Sequence, residues 1–289
     1  MRTRTGSFPI GWRRGSGEWQ QDLDRLLEWA RSHELEVIDL LRDGDQHGRT
    51  VLEAGLQIGA VDLPEWQGMI SADKAKRADA IARNAAYIRA CAAFGPVNHF
   101  VVMVPERPDL ARADNYHFMV ESYSELVPVF EAANARLVIE GYPAPGALCC
   151  TPETLRAFFK DVPSRAMGIN YDPSHLLRMN IDPLRFLFEF GERVYHIHGK
   201  DTQFLTENYY DYGTEQPATF APRIPFGQFT WRYTIPGHGV MRWSHAFRIL
   251  HETGYQGSVS IELEDASFYR VPEAEQMGIL QGARFLTGC

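Results

Sequence analysis

Two short spacings carry most of the chemistry that can be read from this chain. Asp172 and His175 form an Asp-x-x-His, and His196 and His198 form a His-x-His that runs on to Lys200. Both lie in 168–201, where 167–172 reads as a strand ending on a carboxylate and 194–198 as a second strand. Residues two apart share a face of a strand, so His196, His198 and Lys200 point one way and Tyr195 and Ile197 the other. Pro173 stops the first strand, because it cannot donate to a ladder. The apolar-rich 183–190 reads as the helix between the two, with Asp182 as its N-cap. The unit is β-α-β, and both of its strands finish in residues able to hold a metal.

Strand-like and helix-like segments alternate along the rest of the chain. Strands are expected at 5–8, 35–40, 56–61, 98–104, 137–140 and 258–263, besides the two above. The first is closed by Pro9 and Gly11. Helices are expected at 18–32, 73–93, 112–134, 151–160, 243–253 and 272–286, with only a short one at 50–54. Thr151 caps its helix and Pro152 fills the first turn. Pro128 would disturb the long helix 112–134. Eight strands alternating with about eight helices predict an α/β fold, a (β/α)8 TIM barrel, as one domain over 1–289. A doubly wound open sheet competes, but no Gly-x-Gly-x-x-Gly follows the first strand. Residues 202–236, rich in aromatics and proline, show neither period and are expected to form a long irregular loop at the C-terminal face. Such a loop serves as a lid or, equally, as a contact between copies in a homo-oligomer.

In a β/α barrel, chemistry gathers at the C-terminal strand ends. Those ends are Glu140, Asp172, His198 and Glu262, on four successive strands about 5 Å apart. Three carboxylates and one imidazole suit a single divalent ion, Mn²⁺ first, with Mg²⁺ or Co²⁺ next and zinc also accepted. Asp39 and Glu264, also near strand ends, read as solvated or supporting groups. His33, His47, His117, His245 and His251 fall in helices or loops, at the surface.

Composition narrows the partners. Thirty-seven acidic residues against 29 basic ones, a formal charge of −8, oppose a nucleic-acid ligand. No apolar run is long enough for a bilayer, and the N-terminus has no signal-like stretch. The four cysteines, Cys91, Cys149, Cys150 and Cys289, form no Cys-x-x-Cys and read as reduced. The expected setting is cytoplasmic, and the expected partner a small molecule.

Five motifs follow one another in order: Val138-Ile139-Glu140, Tyr171-Asp172-Pro173-Ser174-His175, His196-Ile197-His198-Gly199-Lys200-Asp201, Pro236-Gly237-His238-Gly239 and the stretch from Gly254 to Glu262. In them the chain shows a resemblance to the sugar phosphate isomerase/epimerase family of xylose-isomerase-like barrels. It implies a metal on Glu140, Asp172, His198 and Glu262, with Glu140 and Glu262 as acid and base on opposite faces of a sugar or keto-sugar. It also implies that His175 contacts a substrate oxygen. Two departures bear on the substrate. Phe204 stands where those epimerases carry an arginine, so Lys200, Arg223 or Arg232 would replace it, with His196 on the Lys200 face. His238 stands where an acidic residue is frequent. The implied activity is a metal-dependent isomerase or epimerase working by proton transfer through an enediolate. Its rivals are a lyase that cleaves 3-keto-glycosides and a non-catalytic sugar-binding subunit. The related metal-dependent DNA-repair endonucleases need further ligands from earlier strands, yet those strands end in Val61-Asp62 and Val104-Pro105.

Overall fold

A computed structural model describes all 289 residues. In chain order the elements that matter are β1 (Ile10–Arg13), α1 (Leu23–Ser32), β2 (Val37–Leu40), α2 (Gly44–Glu53), β3 (Gln57–Asp62), α3 (Lys74–Cys91), β4 (Asn98–Val102), α4 (Arg112–Ala132) and β5 (Arg136–Glu140). They continue as α5 (Pro152–Asp161), β6 (Met167–Tyr171), α6 (Pro173–Arg178), α7 (Pro183–Phe190), β7 (Val194–Gly199), β8 (Asp201–Phe204), α8 (Thr206–Tyr212), β9 (Trp231–Thr234), α9 (Trp243–Glu252), β10 (Val259–Ile261) and α10 (Pro272–Thr287). Eight of the strands close into a parallel barrel in the order β1-β10-β7-β6-β5-β4-β3-β2. No helix is long and apolar enough to cross a membrane, and all four cysteines are buried and free.

The chain divides into two compact units. The first, Met1–Val37 with Asp172–Glu189 and His198–Cys289, carries β1, α1, α6, the β8–β9 pair, α9, β10 and α10. Its β1 pairs in parallel with β10, Ile10 opposite Val259 and Trp12 opposite Ile261. The second, Ile38–Tyr171 with Phe190–Ile197, carries α2 to β6, and there β4 pairs with both β3 and β5.

Local sequence explains most of the starts. Asp73 accepts from Ala75 N at 2.8 Å and so caps α3, Thr151 caps α5, and Asp182 accepts from Leu184 N at 2.9 Å. These are the short side chains that favour N-caps. The helix α4 runs through Pro128 without a break.

Three expectations are corrected. The first strand is Ile10–Arg13, not 5–8. Residues 3–8 form a turn in which Gly6 and Ser7 have positive φ and Thr3 N donates to Phe8 O at 3.0 Å. Gly11 does not close the strand. It sits inside it because a Cβ there would stand 1.7 Å from the carbonyl oxygen of Val37. Next, α2 is ten residues long rather than a short 50–54. Its glycines lower helix propensity, but Gly48 has no room for a side chain against the Phe94 ring, 2.3 Å from a Cβ built there. Finally, 202–236 is irregular only in part, over 213–230. It contains α8 and most of an antiparallel β8–β9 pair, with Thr202 opposite Tyr233 and Phe204 opposite Trp231.

Candidate metal and substrate site

Asp172 follows the last residue of β6 and starts α6. Its Oδ1 accepts from Ser174 N at 2.9 Å and Ser174 Oγ at 2.6 Å, so Pro173 enters the first turn, where its missing N–H costs nothing. That cap fixes the side chain and turns Oδ2 toward Lys200 Nζ, 3.0 Å away, and His175 Nε2, 3.4 Å away. Lys200 follows β7, has 1% exposure, and stands among three carboxylates: Asp172, Glu262, which it bonds, and Glu264 at 3.0 Å. Glu262 follows the last residue of β10. It also meets Arg13 Nε at 3.2 Å and His198 Nδ1 at 3.4 Å. Burial pushes the Glu262 carboxyl up, but Lys200, His198 and Arg13 outweigh it and hold it well below the usual carboxylate range.

The β8–β9 pair reaches this group through Tyr233. Its hydroxyl lies 2.7 Å from His175 Nδ1, and Lys200 Nζ lies 4.7 Å from its ring centroid. Burial pushes the phenol up, so it stays neutral. Thr202 Oγ1 donates to Ser174 O at 3.0 Å, tying β8 to α6. Asp201 holds the Pro-Gly-His-Gly turn by accepting from Met241 N at 2.9 Å, Gly237 N at 3.4 Å and Trp243 Nε1 at 3.2 Å.

In the second unit, Glu140 ends β5 opposite Asn170 of β6, and Asn170 Nδ2 donates to Glu140 Oε2 at 2.8 Å. His196 Nε2 lies 2.8 Å from Asp39 Oδ2, with neither residue exposed. Asp39 is therefore not solvated. Glu140, Asp172, His198 and Glu262 each offer one ligand atom, and those atoms all lie within 4.8 Å of one another. Asp39, His196 and His198 form a second such group. Three carboxylates and an imidazole at that spacing fit a divalent ion.

The structure brings together Asp172, His175, His198, Lys200 and Glu262. Arg223 is exposed, and Arg232 donates to Gln203 Oε1 at 2.7 Å within the β8–β9 pair; neither bonds that group. Phe204 packs near Tyr209, their ring centroids 6.3 Å apart, and the His238 ring lies 6.2 Å from that of Phe268. Three contributors escaped the sequence reading. Arg13 was missed because the first strand was placed too early. Tyr233 was hidden in a segment read as irregular. Asn170 shares the face of Asp172 by period two, so it carried a usable signal; Glu264, read as a solvated or supporting group, lies 3.0 Å from Lys200 Nζ.

Comparison with known proteins agrees on the fold. Over 155 residues the chain is 32% identical to the uncharacterized protein YfiH of Bacillus subtilis (strain 168), covering 53% of this chain and 47% of that one. Over 101 residues it is 30% identical to an inosose dehydratase of Bacillus thuringiensis (strain Al Hakam), covering 35% and 32%. These matches span from about a third to about a half of the relatives' own length. Among solved structures, 3-keto-D-glucoside 4-epimerase YcjR from E. coli superimposes with a TM-score of 0.70 at 12% identity, covering 98% of this chain and all of that one. The IolI protein, solved with a zinc atom, gives 0.67 at 16% identity, covering 96% of each chain. The profile described as "Xylose isomerase-like TIM barrel" matches residues 15–289, and with the closed eight-stranded sheet this places the chain in the xylose isomerase-like TIM barrel family.

Proposed function

We propose that this protein is a metal-dependent isomerase or epimerase of a sugar, keto-sugar or cyclitol. The observation that carries the reading is the group of three carboxylates and one imidazole at strand ends, with a glutamate on β5 and another after β10. Glu140, Asp172, His198 and Glu262 would hold a divalent ion, Mn²⁺ first by donor type. Bound there, the ion supplies electrostatic stabilisation to charge developing on a substrate carbonyl oxygen.

The chain's own residues do the rest. Glu262 stays ionised, because Lys200 and Arg13 face it, and so can accept a proton from the carbon beside the carbonyl. Glu140, on the other side of the substrate, returns a proton to the opposite face. Lys200 and the neutral Tyr233 hydroxyl, through His175, steady the developing enediolate. The single-observation support for a rival is the similarity to inosose dehydratases. If the enediolate expels a β-substituent, the same groups perform an elimination.

Turnover of a panel of keto-sugars by the manganese-loaded protein in D₂O tests the reading. Solvent deuterium is expected at the carbon beside the carbonyl, and Glu262→Gln abolishes it. Complete retention of the substrate hydrogen with its transfer to the neighbouring carbon would indicate a hydride shift and overturn the two-glutamate mechanism. Loss of water or of a glycosidic substituent would favour elimination.

A further inference from the structure

Within the unit that carries β1, α6 and β10, one buried ammonium faces three carboxylates that are not alike. Two of the three protons of Lys200 Nζ go to Glu262 Oε2 and Glu264 Oε2, the second at 3.0 Å. Asp172 Oδ2 lies 3.0 Å from the same nitrogen, but as an ion pair only, without a hydrogen bond. Asp172 and Glu262 belong to the group of ligand atoms described above, and Glu264 does not. Glu264 is also the most open of the three, with 34% of its side chain exposed.

The oxygens of the two inner carboxylates are already engaged. Asp172 Oδ1 accepts from Ser174 N and Ser174 Oγ, which leaves Oδ2 as the oxygen turned toward an ion. Glu262 has Arg13 Nε 3.2 Å from Oε1 and Lys200 on Oε2. An ion held by Asp172 and Glu262 would therefore share oxygens with the Lys200 ammonium. The two carry like charge in a buried enclosure, where screening is weakest and repulsion strongest.

Glu264 gives the ammonium somewhere to stand. Nζ already donates to it, and Glu264 contributes no ligand atom, so that bond survives when the other two contacts are yielded. The flexible four-carbon stem of lysine permits such a swing. The Tyr233 ring, its centroid 4.7 Å from Nζ, offers the charge a second favourable surface.

We propose that Lys200 is an internal rival of the divalent ion, and that Glu264 is the berth it moves to when the ion takes Asp172 and Glu262. The inference rests on the metal site proposed above. Neither residue is a ligand; both are positioning residues that set how tightly the ion is held. Without the ammonium, Asp172 and Glu262 repel each other and attract the ion more strongly. Without Glu264, the displaced ammonium stays beside the ion and weakens its hold.

Mn²⁺ binding to the full chain, measured by calorimetry and by the EPR signal of free Mn²⁺, tests this without a substrate. Lys200→Met is expected to bind Mn²⁺ about tenfold or more tighter than the unaltered chain, and Glu264→Gln about tenfold weaker. When Glu264→Gln is added to Lys200→Met it should cost less than about twofold, because no ammonium is left to place. Equal or weaker binding by Lys200→Met overturns the proposal. So does an unchanged affinity in Glu264→Gln, or a Glu264→Gln penalty that persists undiminished beside Lys200→Met, the mark of a plain charge effect. If Lys200→Met does not fold when stripped of metal, Mn²⁺ should restore its near-ultraviolet circular dichroism, because an ion that binds the folded state draws the chain toward it. No recovery at about 1 mM Mn²⁺ overturns the proposal equally. An unaltered chain that binds no Mn²⁺ would sink the metal site, and this inference with it. Binding indifferent to both substitutions would sink this inference alone.

Discussion

His99 and His198 are equally without exposure, yet they stand in opposite surroundings. His99, on β4, meets the edges of Tyr87 from α3 and Phe130 from α4 at 5.8 and 5.5 Å, and neither ring nitrogen has a hydrogen-bond partner. Burial alone lowers its pKa to about 3. His198, on β7, has Glu262 at 3.4 Å and belongs to a group of acidic ligand atoms. An apolar enclosure leaves an imidazole neutral, with nothing to bind or exchange. A carboxylate enclosure equips the same side chain to serve as a ligand. Burial does not mark a site; the charge of what surrounds the buried group does.

Removing the cation from the charged enclosure should have the largest effect. Lys200→Met leaves Asp172, Glu262 and Glu264 facing one another, and metal-stripped protein is expected to lose about 3–5 kcal/mol in chemical denaturation. Unchanged stability would mean that the ammonium does not hold the carboxylates together. Next come the ligands. Asp172→Ala and His198→Ala should each weaken Mn²⁺ binding more than about 100-fold, beyond what a supporting residue costs. Metal analysis showing full occupancy in both variants would remove the site.

The apolar enclosure makes the contrasting prediction. The folded pKa of His99, about 3, lies below the ordinary value of 6.5, so the unfolded chain takes up the proton first. Stability must therefore fall as the pH drops below about 6.5, by about 2 kcal/mol at pH 5, and be unaffected at neutral pH. His99→Leu should flatten that acid limb; an identical pH profile would place the acid sensitivity elsewhere. The smallest effect is expected at the edge of the charged group. Tyr233→Phe removes the hydroxyl 2.7 Å from His175 Nδ1 and should cost about 1 kcal/mol, with metal affinity kept. A change in metal affinity as large as that of His198→Ala would show Tyr233 to be coupled to the ligands rather than to His175.

The site was legible where chemistry and strand ends coincide. Asp172, His175, His198, Lys200 and Glu262 all came from spacing, because period two and the barrel's polarity place such residues at one rim. Lys200 was expected to stand in for the arginine that Phe204 displaces, and its contacts with three carboxylates were not expected. Arg223 drew notice only as a nearby arginine in an unpatterned stretch, and it lies exposed. The β8–β9 pair went unread because its strands are short and separated by residues without alternation.

The sequence by itself determined the α/β alternation, the caps at Thr151 and Asp182, and which residue types stand at the strand ends. These depend on neighbours within a few positions, where sterics and capping act. Only the tertiary structure decided which charges share an enclosure. Lys200 meets Glu262 and Glu264 from 62 and 64 residues away, Arg13 reaches Glu262 because β1 pairs with β10, and Tyr233 meets His175 across 58 residues. No local rule reports such pairings, because they follow from strand pairing and packing between segments far apart in the chain.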